Sequence, residues 1–171
     1  MKDDSHEYFQ FNEKVFDYEI EFAPTPSEAA SIVFDADSAF ESRLLANSIA
    51  LNISNLRILK KTQYFARALE KVVGDYPESV IKQVLHTLSL AVWSIYSSDP
   101  QRVEIRVIKK LEGRGFDSLF DQDDEAGNKK LKDEVTVVLS EYGFSFCDEL
   151  DFAVMSLVEK GYFDSGEIKN C

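Results

Sequence analysis

The sequence predicts a mainly α-helical protein, a bundle of six to eight helices preceded by one short strand. Three observations carry that expectation. Apolar residues recur at three- and four-residue spacing through most of the stretch from Ser27 to Glu159. Residues that start or end helices (Asn55, Gly74, Pro77, Gly143) fall between the periodic stretches. Apolar residues make up 44% of the 171, including 13 Phe, which is enough for a sizeable core and argues against global disorder. One compact domain over 13–164 is expected, between flexible tails at 1–12 and 165–171.

The elements follow in order. Lys14–Ala23 alternates in part, with Phe16, Tyr18, Ile20 and Phe22 on one side and Asp17, Glu19 and Glu21 on the other, a strand pattern that Pro24 and Pro26 stop. Ser27 before Glu28 suits a helix start, and helices are expected over about 27–34 and 38–52. In the second, Phe40, Leu44, Ala46, Ile49, Ala50 and Ile53 approximate one face. Ser54 or Asn55 can cap a helix running to Val73, ended by Gly74. Pro77 opens the next, Glu78–Tyr96, whose wide apolar arc predicts the central buried helix, with Leu85, Leu88, Val92 and Ile95 inside. Ser97-Ser98-Asp99-Pro100 reads as a turn.

Val103–Leu111 fits both periods; helix is favoured because no partner strand is near. Gly113–Gly127 is glycine-rich and acidic and gives the weakest pattern. Lys129–Tyr142 reads as a helix ended by Gly143, with Leu131, Val135, Val138, Leu139 and Tyr142 on one side. Asp148–Glu159 is the last helix, with Leu150, Val154, Leu157 and Val158 as its apolar side.

Composition bounds function. With 31 acidic and 19 basic residues the formal charge is −12, so general nucleic-acid binding is disfavoured. Two cysteines, Cys147 and Cys171, stand far apart and form no CxxC or Cys/His cluster, which argues against zinc and against a disulfide framework and fits a reducing cytoplasm. The N-terminal residues lack an apolar signal core, and the longest apolar run, near 85–96, is too short and too polar to span a bilayer.

No motif for catalysis emerges. The chain has no GxxxxGK[ST], GxGxxG or GxSxG, so no phosphate-cradling loop and no cofactor are expected. Gly113-Arg114-Gly115 is only a GxG. His86 has Lys82 and Leu90 as its i±4 neighbours, so it reads as a histidine making one hydrogen bond rather than a base. Asp148, Glu149 and Asp151 fall in the first turn of a helix, where carboxylates cap and complement the dipole. A metal site there would need further carboxylates from elsewhere. Asp121–Glu125 lacks the glycine and terminal glutamate of a calcium loop and reads as solvated.

The feature that points to function is a stripe. Arg57, Lys60, Tyr64, Arg67 and Lys71 are spaced 3, 4, 3 and 4, one face of a helix, and Lys61 lies beside them. Ile58, Thr62, Phe65, Leu69 and Val72 are spaced 4, 3, 4 and 3, one or two residues on from the stripe, so the helix is half core and half positive edge. Arg57, Lys60, Lys61, Arg67 and Lys71 are therefore the candidate partner-binding residues. The competing reading pairs them with the chain's own surplus of acids.

Asn55-Leu56-Arg57-Ile58-Leu59-Lys60-Lys61 resembles the helix start that follows the ATPase core in KAP-type and related AAA-like bacterial P-loop ATPases. Glu13-Lys14-Val15 and Pro26-Ser27-Glu28-Ala29 resemble the passage from the nucleotide-binding sheet into the helical lid. The stretch from Tyr142-Gly143-Phe144 through Asp148-Glu149-Leu150-Asp151 to Lys160-Gly161-Tyr162-Phe163-Asp164 is similar to a C-terminal signature of such chains. The resemblance implies the lid and C-terminal part of such an ATPase, with Arg57 as the lid arginine. Walker A and Walker B are not in this sequence, so Arg57 has no nucleotide here to sense. The expected function is a non-catalytic, lid-like or regulatory module that binds another protein, with a P-loop ATPase core as one candidate. The alternatives are an acidic mimic of nucleic acid that inhibits its partner, and a metal-dependent enzyme built on scattered carboxylates such as Asp148 and Asp151.

Overall fold

In a computed structural model the protein is described over residues 22–113, 115–119 and 126–162. The described residues form seven α-helices, as the periodicity predicts: α1 (Pro26–Val33), α2 (Ala39–Ala50), α3 (Leu56–Val73), α4 (Glu78–Tyr96), α5 (Ile105–Ile108), α6 (Ala126–Tyr142) and α7 (Glu149–Lys160). The expected strand at Lys14–Ala23 lies outside the described residues except for Phe22 and Ala23, which belong to no regular element. The tails at 1–12 and 165–171 and the Asp121–Glu125 loop also lie outside them.

Local chemistry sets the helix ends. Thr25, not Ser27, caps α1: its side chain accepts from the Glu28 N–H, and the Glu28 carboxylate accepts from the Thr25 N–H at 2.9 Å, with Pro26 in the first turn. Ser38 caps α2 and Asn55 caps α3. Pro77 is itself the N-cap of α4 and offers no side-chain acceptor. The ambiguous 103–111 stretch resolves to a short helix, α5, running on into a 3₁₀ turn at Lys109–Leu111. Glu112 and Cys147 make an isolated parallel bridge. Gly143 follows α6 at φ +84°, a conformation that other residues rarely adopt.

The α4 helix is the centre of the fold, packing against α7, α3, α2 and α5. Leu85, Leu88 and Val92 are fully buried, while Ile95 is only half-buried because the helix is about to leave the core. The expected face of α2 needs correction. Its buried residues are Leu44 and Ser48, continued by Leu51 and Ile53 beyond the helix, whereas Ala46, Ile49 and Ala50 are exposed. A serine within the inward face hid the true phase. Ser48 Oγ is buried there with no hydrogen-bond partner among the described residues.

No helix of the described residues is long and apolar enough to cross a membrane.

Candidate functional site

The α3 helix is held by one face. Ile58, Leu59, Thr62, Phe65, Ala66, Leu69 and Val73 are buried, which turns the opposite face of the helix outward. Arg57, Lys60, Tyr64, Arg67 and Lys71 are all exposed, with Tyr64 at 63%. The helix therefore presents the positive edge that its spacing predicts.

Its electrostatics are one-sided. Glu70 is the only acid on α3, and none stands in its first turn. Arg57 sits there instead, adding a cation to the positive end of the helix dipole, an arrangement that costs a little folding energy and strengthens attraction for anions. The Asn55 side chain accepts from the Arg57 N–H at 2.9 Å.

The own-chain pairing reading meets a test here. Arg67 faces Glu41 at 3.6 Å, across 66% side-chain exposure. Among the described residues Arg57, Lys60 and Lys71 have no carboxylate within ion-pair distance. Lys61 is turned the other way. Its ammonium lies 5.1 Å from the Tyr96 ring centre, 5.2 Å from Phe65 and 5.8 Å from Tyr64. Cation–π attraction thus holds Lys61 across the junction of α3 and α4, and it is a clasp as much as a contact residue. The Tyr96 hydroxyl donates to the Val158 carbonyl at 3.4 Å, tying the same corner to α7.

A cleft of about 350 Å³ opens at the N-terminal end of α3. Ile53, Ile58 and Trp93 give it apolar walls, and Ser54, Asn55 and Ser98 give it polar ones. The sequence did not single out this cleft. Its walls come from two turns, Asn52–Asn55 and Ser97–Pro100, that are far apart in the chain and show no periodic signal.

A second polar region lies inside, between α4 and α7. The Thr87 hydroxyl donates to the buried Asp151 carboxylate, and Gln83 Nε2 donates to Asp148 at 2.8 Å. Asp148 caps α7, and Asp151 returns the bond to the Asp148 N–H, so these acids act as the capping reading expects. Burial holds the Asp151 carboxyl above its ordinary range, while the Gln83 amide and backbone donors hold Asp148 below its own. His86 stacks on Tyr142 with ring centres 4.1 Å apart, and its Nε2–H donates to the Tyr142 carbonyl at 3.0 Å. It is the single-bond histidine the sequence suggests, and burial lowers its pKa.

Nucleophilic chemistry finds little support in these groups. Cys147 is fully buried, and burial next to Asp151, Asp148 and Glu112 pushes its thiol up to about 12, so it is protonated at neutral pH. No group of three or more His, Cys, Asp or Glu able to hold a metal occurs among the described residues. No protein-family model, no curated protein and no solved structure matches the chain, so nothing in these comparisons bears on the resemblance to KAP-type ATPases.

Proposed function

We propose that this chain is a non-catalytic helical module, lid-like or regulatory, that docks on another protein through the exposed face of α3. The observation that carries this reading is the set Arg57, Lys60 and Lys71, which has no carboxylate partner among the described residues. Were these cations present only for solubility, local acids could neutralise them at almost no cost. The partner is a protein with an acidic surface, Tyr64 supplies an aromatic contact between the charges, and a P-loop ATPase core is the candidate that the resemblance suggests. A cytoplasmic setting belongs to the same reading.

The test is the double variant Arg57→Glu/Lys60→Glu. Its thermal stability should change little, since exposed charges contribute only ~0–1 kcal/mol each. Capture of the wild type's protein partners should fall sharply, and wild-type capture should weaken as salt rises. An unchanged partner profile together with a large loss of stability would assign the stripe to internal pairing.

The net charge of −12 favours one second reading, that the chain imitates nucleic acid on a basic partner. In that case nucleic acid would compete with the chain for the captured partner, and the α3 reversals would leave capture intact.

A further inference from the structure

The cleft at the N-terminal end of α3 is lined by polar groups that the rest of the fold leaves uncommitted. We propose that it binds a small zwitterion with an apolar side chain, a free aliphatic amino acid. The ligand's carboxylate takes donors from Trp93 and from the start of α3, its ammonium faces Asp99, and its side chain packs on Ile53 and Ile58. The docking reading is not needed for this inference, since the cleft lies at the end of α3 and the docking stripe runs along its exposed side.

Trp93 is the first argument. It is only 3% exposed, yet it forms one wall of the cleft. Among the described residues no acceptor takes its indole N–H, and Ser48 Oγ is the one fully enclosed side-chain polar atom left without a partner. The indole N–H is therefore not sealed inside the fold, and the opening that Trp93 lines is the cleft. A tryptophan buried this deeply usually finds a partner for its N–H. Here the donor is left for an acceptor that a ligand brings.

The opposite polarity of the two rims is the second argument. On one rim α3 begins with Arg57 and with no acid in its first turn, so the positive end of an 18-residue helix is unopposed. The Asn55 side chain is spent on the Arg57 N–H, and its carbonyl accepts from Ile58 and Leu59. The N–H groups of Ser54 and Asn55, two residues of the cleft wall, have no acceptor among the described residues. On the other rim Asp99 spends one carboxylate oxygen on the Gln101 N–H at 2.8 Å. Among the described residues its second oxygen has no donor, and no cation stands within ion-pair distance of it. Asp99 repels a simple anion, and the start of α3 repels a simple cation. A molecule that carries both charges satisfies both rims at once, and Ile53, Ile58 and Trp93 leave apolar surface for its side chain. The volume of about 350 Å³ is near the lower end of the ~300–1,000 Å³ of small-molecule sites, which suits a ligand of this size.

Trp93 is the only tryptophan of the chain, so its fluorescence reports on the cleft. The full chain is titrated with L-valine, L-leucine and L-isoleucine, and calorimetry on the same mixtures detects binding that leaves the emission unchanged. At least one of them should bind saturably. For the tightest, the amide lacks the carboxylate and the N-acetyl form lacks the ammonium. Each should bind about ten-fold more weakly, the worth of one charge-assisted hydrogen bond. Asp99→Asn keeps an oxygen for the Gln101 N–H but removes the charge. It should weaken the free amino acid by about the same factor and abolish its advantage over the N-acetyl form. Melting establishes that this variant is folded, and the wild-type ligand series decides the matter if it is not. Binding of none of the three amino acids overturns the proposal. Equal binding of the free, amide and N-acetyl forms overturns it in favour of apolar contact alone, and an unchanged affinity in folded Asp99→Asn overturns it as well. The docking reading fails on a different measurement, unchanged partner capture by Arg57→Glu/Lys60→Glu, so the two can fail separately.

Discussion

The inner seam where α4 meets α7 and the end of α6, and the outer face of α3, are both rich in polar groups, yet they are resolved in opposite ways. Inside, Thr87 answers Asp151, Gln83 answers Asp148, and the Tyr142 hydroxyl and carbonyl both engage His86. Outside, three cations of one stripe have no carboxylate among the described residues. The difference follows from cost. A buried donor or acceptor without a partner loses ~1–3 kcal/mol, so the fold must supply one. An exposed ammonium is solvated and loses nothing, so a repeated stripe of them is free to serve something else. Inner polar groups therefore report on stability, and outer ones are where function can be read.

The largest test of this contrast strikes the element both regions share. The α4 helix backs α3 on one side and α7 on the other, and Leu88 is fully buried in it. Leu88→Ala should cost ~2–5 kcal/mol in chemical denaturation, through lost transfer energy and the cavity left behind. A cost below ~1 kcal/mol would remove α4 from the centre of the fold.

A smaller effect separates the seam from the face. Thr87→Val keeps the shape of residue 87 but removes the donor to Asp151. The buried carboxyl keeps its bond from the Asp148 N–H and loses the other. The expected cost is ~1–3 kcal/mol, with Thr87→Ser retaining most of the stability. Charge reversal at Arg57, by contrast, should stay within the ~0–1 kcal/mol of an exposed charge. Equal costs at the two places would erase the distinction between them.

The sequence carried the outer face better than the inner seam, and the reason is physical. A stripe on one helix is a local property, so the spacing of Arg57, Lys60, Tyr64, Arg67 and Lys71 already contains it. The seam is a property of residues on two helices, with Thr87 and Asp151 64 positions apart. Thr87 falls within the apolar arc of α4, and Asp151 within the first turn of α7, where capping explains it fully. Nothing in either segment announces that they meet. The inward phase of α2 was missed for a related reason: Ser48 is buried by its neighbours, and its hydroxyl disguises an inward position as an outward one. The cleft beside Trp93 depends on two turns, and turns carry no period to read. Helix starts were legible to within a few residues, since Asn55 and Asp148 name their own roles.

The finest test uses pH, because His86 lies in the seam yet is only half-buried. Burial depresses its pKa below the ordinary 6.5, against weaker opposing pulls from the Tyr142 carbonyl and Asp151, and with Lys82 adding to the depression. Tyr142 and Phe144 pack on its ring and carry no charge near neutrality. Above pH 6.5 the imidazole is neutral in folded and unfolded chains alike, and its share of the stability is fully present. Below 6.5 the unfolded chain takes up the proton first, so that share is lost as pH falls toward the folded pKa. The urea midpoint should therefore decline below pH 6.5, before the carboxylates titrate. His86→Gln retains a side-chain donor but does not titrate, so it should flatten the decline between pH 6.5 and 5. Asp151 has the opposite sign, since its raised pKa makes the folded chain bind a proton more readily than the unfolded one. Its contribution is present below its ordinary 3.8 and is lost as pH rises through the folded value. A midpoint independent of pH over the histidine window in the wild type would mean that the ring is hydrated. His86 would then belong with the solvated groups of the outer face rather than with the seam.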